Sequence, residues 1–286
     1  MRNRSRRAGR SASRLLGRPA ALAVAIVTVV IVALGLASPT AQGAAKLAVR
    51  LVSAAKLLHR RAPRAPAALP SGRVFNGTAA VGALFTGSPG HLGAHLCTAS
   101  VVSSPAGNLV ITAAHCVSST GKYAFAPGYR SGQAPYGIWT VSKVFVGRAW
   151  TASADPNYDV AFLVVQQPGS SQNIQAVTGA ERLGTGWAPV QAVQVIGYPA
   201  ATNSPITCQG TTRAFGREQL QFDCGGYTNG TSGGPFLAQV SAATGRGTVI
   251  GVIGGYQQGG NTPSVSYSSR FGSAVAALYR RAVAAS

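Results

Sequence analysis

The chain has 286 residues, of which 46% are apolar and only 10% are charged, and 25 lysines and arginines stand against 5 acidic residues. So many apolar residues and so few charges exclude a wholly disordered chain, and collagen-like and coiled-coil compositions are also absent. The net charge of +20 lies mainly before residue 74, in a stretch with 14 basic residues and no acid. The remainder shows no basic stripe with interleaved aromatic residues, so we expect no nucleic-acid partner.

The first 43 residues have the order of an export signal. Residues 1–20 hold seven arginines and no acid, and residues 20–37 form an uncharged apolar run of 18. A positive segment before an apolar one is typical of a secretory signal, and about 18 residues also reach the lower limit of a membrane span. We therefore predict a signal peptide or an uncleaved N-terminal anchor over residues 1–43. In either case the rest of the chain is exported, because positive charge stays on the cytoplasmic side.

Residues 44–73 are predicted to be a basic pro-segment and linker. The basic residues of a predicted short helix over residues 45–61 gather on one side of it: Lys46, Arg50, Lys56 and Arg60. Such a helix is able to lie on an anionic membrane surface or to serve in a pro-segment, and it fits a solvated helix without a target equally well. The prolines that follow indicate a linker with no core of its own: Pro63, Pro66 and Pro70.

From Val74 onward the chain is predicted to be all-β. Short runs rich in Val, Ile, Phe or Leu recur between Gly, Pro, Ser and Asn residues: Ala79–Phe85, Thr98–Val102, Leu109–Ala113, Trp139–Val146, Val160–Val165, Val190–Ile196, Gln219–Phe222 and Thr248–Val252. Regular short strands separated by turns predict a sandwich or a barrel. Residues 270–285 are the exception, because their apolar residues repeat at helical spacing, and we expect one C-terminal helix packed on the β body.

All four cysteines follow the export signal. An even number of cysteines in an exported chain suggests two disulfides, for which three pairings exist. Proximity in sequence favours Cys97–Cys116 and Cys208–Cys224. Neither pair has the spacing of a zinc site, so we expect no metal.

Three short motifs carry the residues of a nucleophilic site. His115 lies in Thr-Ala-Ala-His-Cys, Asp159 opens an apolar run, and Ser232 lies in Gly-Thr-Ser-Gly-Gly-Pro. A serine hydroxyl needs a base to take its proton, and a buried carboxylate best fixes the tautomer of an imidazole base. Glycines beside the serine allow backbone N–H groups to face a developing oxyanion. Asp155 and Asp223 are the alternatives to Asp159, although Asp155 precedes a proline as a turn residue does.

In this order the motifs resemble those of the chymotrypsin/trypsin family of serine peptidases, and in particular those of its secreted bacterial members. The resemblance extends from about Val74 to the C-terminus. The resemblance implies an all-β, chymotrypsin-like fold of two six-stranded antiparallel β-barrels with a C-terminal helix. We expect a peptidase domain over 74–286, divided into a first barrel over about 74–170, a second over about 171–269, and a helix over 270–285. It further implies a secreted serine endopeptidase that acts on polypeptides without a cofactor and is a monomer.

The resemblance also assigns roles. His115 is the general base, Asp159 orients it, Ser232 is the nucleophile, and the N–H groups of Gly230 and Ser232 form the oxyanion hole. Cys97 and Cys116 match the family's disulfide that braces the histidine loop, and His95 is expected to support the oxyanion loop.

Two features depart from the family pattern. Thr231 stands where many members have an aspartate that pairs with a new N-terminus after activation, although Arg73-Val74 resembles a trypsin-type activation site. We expect local hydrogen bonds to hold the oxyanion loop instead. The family's disulfide beside the nucleophile is missing, and Cys208–Cys224 is expected to brace the segment that leads into the site.

The family places the floor of the specificity pocket about six residues before the nucleophile, which gives Gly226, followed by Tyr227. The other wall is expected near Ile253, Gly254, Gly255 and Tyr256, with Tyr256 narrowing the entrance. A pocket without fixed charge favours uncharged, mostly apolar side chains before the cut. The alternatives are a non-catalytic binding protein on a peptidase scaffold and a membrane-anchored surface factor that acts through its basic N-terminal region.

Overall fold

The structure, a computed structural model, describes residues 68–286. The predicted signal or anchor and most of the predicted basic segment lie outside the described residues. None of the helices within 68–286 has the length and apolar character needed to cross a membrane.

The first half is a closed six-stranded barrel, as expected. Its strands pair in the order β2-β3-β4-β7-β6-β5, and every pair is antiparallel: β2 (Val81–Ser88), β3 (His91–Val102), β4 (Leu109–Thr112), β5 (Tyr123–Pro127), β6 (Trp139–Val146) and β7 (Ala161–Gln166). Both β4 and β5 are buried along their whole length, so they carry continuous apolar runs. At Gly82 a side chain would overlap the carbonyl oxygen of Ala126, so the close approach of β2 to β5 requires glycine.

The second half contains two sheets. Six strands pair in the order β1-β10-β9-β13-β14-β8: β1 (Arg73–Val74), β8 (Arg182–Leu183), β9 (Ala192–Gly197), β10 (Ile206–Thr211), β13 (Pro235–Ala238) and β14 (Thr248–Val252). The other three pair in the order β11-β12-β15: β11 (Arg213–Phe215), β12 (Gln219–Asp223) and β15 (Val265–Ser269). The two sheets enclose one apolar core, in which Phe222 and Phe236 are among the most buried side chains.

This half differs in detail from the closed antiparallel barrel that was expected. Among the described strands the hydrogen-bonded ladder does not close, and β14 pairs with β8 in parallel. The chain passes from one sheet to the other at Thr212, which is buried between β10 and β11. Its backbone N–H donates to the carbonyl of Gln191 and its hydroxyl to that of Pro189 at 2.7 Å, which ties this crossing point to the segment before β9.

Three α-helices complete the described chain: α1 (Arg148–Ser153), α2 (Ile174–Thr178) and α3 (Ser273–Ala284). The predicted C-terminal helix is confirmed. Its buried residues Val275, Leu278 and Ala282 follow helical spacing and join the core of the first barrel rather than that of the second half. The C-terminal helix therefore packs on the first barrel.

Both predicted disulfides are confirmed. One joins Cys97 in β3 to Cys116 shortly after β4, and the other joins Cys208 in β10 to Cys224 directly after β12. Each therefore links a strand to a segment that leads toward the candidate site.

Residues before Val74 take part in the second half. The backbone of Gly225 donates to Pro70 and accepts from Gly72, and β1 extends this pairing by joining β10. The boundary predicted at Val74 cuts through this pairing, so the hydrogen-bonded backbone of this half starts at Pro70.

Candidate active site

His115 lies in a short 3-10 turn, Ala114–Cys116, directly after the buried strand β4. Two contacts fix this turn to β3. Thr112 donates its hydroxyl proton to the carbonyl of Thr98 at 2.8 Å, and Cys116 is bonded to Cys97. The imidazole is thus held at the end of a rigid strand, with only 11% of its side-chain surface exposed.

Asp159 is wholly buried and hydrogen-bonded to His115 through both carboxylate oxygens. Its Oδ1 accepts from the backbone N–H of His115 at 2.9 Å, and its Oδ2 lies 2.7 Å from His115 Nδ1. Because the carboxylate accepts, the Nδ1 proton is fixed toward it and Nε2 is left as the basic nitrogen.

The other acidic residues proposed for this role lie elsewhere. Asp155 accepts from the backbone N–H of Asn157 at 2.9 Å and caps the 3-10 turn Pro156–Tyr158. Asp223 pairs with Arg213 on the surface of the three-stranded sheet. Neither forms a hydrogen bond to His115 in the described part of the chain, which leaves Asp159 as its carboxylate partner.

Two glycines complete the surroundings of Asp159. Gly255, in a left-handed conformation with φ of 76°, donates its backbone N–H to Oδ2 at 2.8 Å. At Gly254 an added Cβ would lie 2.9 Å from the same oxygen. Gly254 and Gly255, predicted as a wall of the specificity pocket, thus pack against the carboxylate of Asp159, and neither is among the described residues that line the cleft.

Ser232 lies in a glycine-rich turn that contacts both halves of the molecule. Its carbonyl accepts from the N–H of Thr98 in β3 at 2.7 Å, and the N–H of Gly233 donates to Ile253 at 2.7 Å. Side chains are excluded on each side, since a Cβ at Gly230 would overlap the backbone of Ala200 and one at Gly233 would overlap that of Thr98. The sequence of this turn thus follows from close backbone packing.

His115 and Ser232 line the same cleft, which has a volume of about 990 Å³. No hydrogen bond joins the Ser232 hydroxyl to the imidazole within the described structure. Catalytic hydrogen bonds are often long before substrate binds and tighten in the complex. Ser232 and His115 thus border one cavity, and the buried carboxylate of Asp159 lies behind the imidazole, hydrogen-bonded to Nδ1.

The backbone N–H groups of Gly230 and Ser232 donate no hydrogen bond to any residue of 68–286. Between them, Thr231 donates both its N–H and its hydroxyl to the carbonyl of Thr228, at 3.1 and 2.8 Å. Thr231 is 2% exposed, so local hydrogen bonds hold this turn where a buried ion pair would otherwise be expected. Two unengaged N–H groups on one turn are what an oxyanion hole requires.

Thr98 was not identified from the sequence. It is fully buried, donates its hydroxyl proton to the carbonyl of Gly230 at 2.9 Å, and accepts from the N–H of Tyr198 at 2.8 Å. One threonine of the first barrel thus positions the turn of the second half through Gly230 as well as through Ser232. Its only sequence signal is its place directly after Cys97.

His95 lies behind the adjoining loop, in keeping with the support expected of it. Its Nε2 is 3.2 Å from the carbonyl of Thr202, while Nδ1 is buried without a partner among the described residues. Burial lowers the pKa of His95. In the loop that His95 contacts, the backbone N–H of Ala200 donates to the carbonyl of Asn229, the residue before Gly230.

The lining of the cleft corrects the predicted specificity pocket in part. Tyr227 and Ile253 line it, whereas Gly226 and Tyr256 do not. Gly226 lies behind the cleft against Ser71 and Gly72, and Tyr256 packs on aromatic rings of the three-stranded sheet: Phe215 and Tyr267. The predicted narrowing of the entrance by Tyr256 is therefore wrong.

The remaining wall of the cleft comes from a turn that the sequence did not indicate. Gln257 and Gln258 line the cleft with φ of 53° and 54°, in the left-handed region that side chains rarely adopt. No aspartate, glutamate, lysine or arginine is among the described residues of the lining. Of the potential metal ligands near His115, Cys97 and Cys116 are bonded to each other.

Comparison with known proteins identifies the family. Residues 97–252 match the model of the trypsin-like peptidase domain, which is more than half of the chain. The structure is similar to that of protease Anisep from Arthrobacter nicotinovorans, with 26% sequence identity, a TM-score of 0.65, and coverage of 74% of this chain and 99% of that one. It is also similar to AL20, a thermostable serine protease from an extremophilic microorganism, with 25% identity, a TM-score of 0.63, and coverage of 73% and 99%.

A Glu endopeptidase shares the fold at 16% identity, with a TM-score of 0.58 over 75% of this chain and 97% of that one. The comparison with curated protein sequences gives no match. On the family match and the two serine proteases of similar structure, the chain belongs to the trypsin-like peptidase family and is a serine endopeptidase.

Proposed function

We propose that the protein is an exported endopeptidase in which Ser232 attacks the peptide bond, His115 is the general base and Asp159 orients it. The observation that carries this proposal is the buried carboxylate of Asp159. It accepts from both N–H groups of His115 and so leaves Nε2 basic on the side of the cleft. The carboxylate also stabilises the imidazolium that forms when the serine proton is taken.

The reaction proceeds in two steps, acylation and deacylation. In acylation, Ser232 Oγ bonds to the carbonyl carbon while its proton passes to His115 Nε2, and the N–H groups of Gly230 and Ser232 bind the oxyanion. The C–N bond then breaks, and the imidazolium gives its proton to the leaving amine. In deacylation, water repeats this attack on the ester and restores the serine hydroxyl.

The oxyanion turn supports activity without the usual ammonium–carboxylate switch. Thr231 offers no charge to a new N-terminus, and both of its donors are already bonded to Thr228. The N–H groups on either side of it remain available. We therefore propose that the site is formed as soon as the chain folds, without cleavage after Arg73.

The substrate is proposed to be a polypeptide with an uncharged residue before the cut. No aspartate, glutamate, lysine or arginine is among the described residues that line the cleft. Burying an unpaired charge there would cost several kcal/mol. Asp223 pairs with Arg213 outside the cleft, so it offers no partner to a basic side chain of the substrate there.

Export and domain organisation are proposed from the sequence together with the disulfides. Two disulfides are typical of an oxidising compartment. We propose a signal peptide or anchor over residues 1–43, a basic segment able to contact a membrane surface over 44–69, and a monomeric peptidase unit after it.

Labelling with a fluorophosphonate tests the nucleophile, because this reagent captures a serine activated by a base. The expected result is one adduct per chain, located on Ser232 by peptide mapping and lost in Ser232→Ala. Ser153→Ala is the matched control, since Ser153 is exposed on α1 and its hydroxyl donates to Ala149. Ser232→Ala should also lower turnover by about 10⁴–10⁶-fold while the protein stays folded.

The absence of any adduct, or an adduct on another serine, would contradict the assignment. It would favour the alternative of a non-catalytic protein on a peptidase scaffold.

A further inference from the structure

Tyr227 is the largest side chain that lines the inner part of the cleft, and nearly all of it lies below the surface. It precedes Ser232 by five residues and borders the same cavity, yet it is only 6% exposed. The ring therefore fills space between the cleft and the core of the second half.

Three contacts hold the ring in place. The hydroxyl donates to the carbonyl of Val195 in β9 at 2.8 Å, and the backbone N–H donates to Pro263 at 3.0 Å. The ring also meets Phe222 edge to face, with centroids 6.2 Å apart. Burial raises the pKa of Tyr227, so the hydroxyl stays a neutral donor. Moving the ring aside would break this buried hydrogen bond and leave the hydroxyl without a partner.

Two further deeply buried, uncharged side chains line the cleft with Tyr227. Ile253 and Ser266 are 3% and 1% exposed, and no aspartate, glutamate, lysine or arginine is among the described lining residues. A charged side chain that entered beside Ser232 would therefore find no partner of opposite charge in this lining. A long side chain that reached Tyr227 would meet a ring that its hydrogen bond and its packing hold in place.

We propose that Tyr227 closes the inner end of the primary specificity pocket, so that the enzyme cleaves after small uncharged residues: Gly, Ala, Ser and Thr. This inference rests on the proposed function, because it takes Ser232 as the nucleophile. It replaces Gly226 and Tyr256 with Tyr227 as the residue that limits the size of the pocket.

Two variants distinguish the effect of the ring's volume from the effect of the hydroxyl's hydrogen bond. Tyr227→Ala removes the ring and extends the cleft toward Phe222. Tyr227→Phe keeps the ring and removes only the donor to Val195, so it is the matched control for volume. If Tyr227→Ala does not fold, Tyr227→Val serves as a smaller truncation.

The experiment measures kcat/KM of the full-length protein on peptides that differ only in the residue before the cut: Ala, Leu, Phe, Lys or Glu. The wild-type enzyme should prefer Ala to Phe by at least about 100-fold, the scale on which a pocket discriminates by size. Tyr227→Ala should reduce that ratio at least about 10-fold through faster cleavage after Leu and Phe. Tyr227→Phe should keep the ratio within about 3-fold of wild type.

Two failures can be told apart. An enzyme that is labelled at Ser232 but prefers Phe, Lys or Glu would overturn the pocket assignment alone. The same holds if Tyr227→Ala, folded by circular dichroism and labelled at the wild-type rate, keeps the wild-type ratio. An enzyme that is neither labelled nor active on any peptide would overturn the proposed function, and the pocket assignment with it.

Discussion

The backbone N–H of Gly72 donates to the carbonyl of Gly225 at 2.8 Å. Gly225 in turn donates to Pro70 at 2.7 Å, and it follows Cys224 directly, so the residues before Val74 clamp the loop that leads to Tyr227 and Ser232. The predicted linker therefore includes a short segment that is structural.

Gly72→Pro tests this clamp, because proline removes the donated proton. We expect a loss of about 1–3 kcal/mol in the free energy of unfolding, since the carbonyl of Gly225 loses its partner. Tighter contacts add to the loss, because a Cβ at this position lies 3.0 Å from Ile206 Cδ1. Thermal unfolding and the rate of fluorophosphonate labelling measure the effect. An unchanged stability and labelling rate would show that the pairing does not support the site.

Arg73→Ala is expected to leave both stability and activity near wild type. Arg73 is exposed in β1, and its side chain is not needed for the backbone pairing with Thr207. This variant also removes the trypsin-type cleavage site, so its activity tests whether the enzyme needs cleavage there. Complete loss of activity in a folded Arg73→Ala protein would contradict a site that forms without that cleavage.

Gly254→Ala should impair catalysis more than folding. The added Cβ lies 2.9 Å from Asp159 Oδ2 and 3.2 Å from the Cβ of Ala113, so the carboxylate or the backbone around Gly254 must shift. We expect this shift to disturb the hydrogen bond between Asp159 and His115. A misplacement of about 1 Å in a catalytic group costs about 100-fold in rate. Gly272→Ala is the matched control, because a Cβ there meets nothing within 4 Å. Equal kcat values for the two variants would argue against the proposed role of Asp159.

The sequence predicts the parts of this site that depend on local motifs. His115 and Ser232 lie in short segments whose glycines and small residues are dictated by backbone packing, and Asp159 lies two residues before the buried strand β7. Both disulfides join cysteines that are near in sequence, so proximity was sufficient to pair them.

What the sequence could not predict depends on backbone contacts between distant segments. The N–H of Gly255 reaches Asp159 across 96 residues, and Thr98 holds Gly230 across 132. Such contacts leave no periodic pattern. The same limit explains why counting back from the nucleophile gave Gly226, since a count along the chain does not show that Tyr227 turns inward.

His95 should make the fold less stable at acidic pH. Burial lowers its pKa in the folded state, whereas the unfolded chain has the ordinary value of about 6.5. Below that pH the histidine of the unfolded chain binds a proton more readily than the buried His95 of the folded one. The free energy of unfolding therefore falls by at most about 1.4 kcal/mol for each pH unit by which the pH is lowered. His95→Gln should flatten this part of the pH profile. His91→Gln, at an exposed position of β3, should leave it unchanged.

Glu181 should make the fold less stable as the pH rises, which is opposite to the effect of His95. It is a fully buried acid between the two halves. Its backbone donates to Val101 and accepts from Ser103, and its Oε2 accepts from the N–H of Gly247, while Oε1 has no partner among the described residues. Burial raises the pKa of Glu181 to about 7, although the Gly247 N–H and the Arg246 charge act against this.

The unfolded value of the glutamate pKa is near 4.5, so the folded protein binds the extra proton between about pH 4.5 and 7. Stability is therefore lost as the pH rises through this window, and the full cost is present above it. Glu181→Gln stays neutral and can still accept from Gly247. We expect it to be more stable than wild type at pH 8, by up to about 3 kcal/mol, and to approach wild type near pH 4.5. Chemical denaturation at both pH values measures this difference. Glu218→Gln, at an exposed position, is the control, and a wild-type advantage over Glu181→Gln at pH 8 would contradict the prediction.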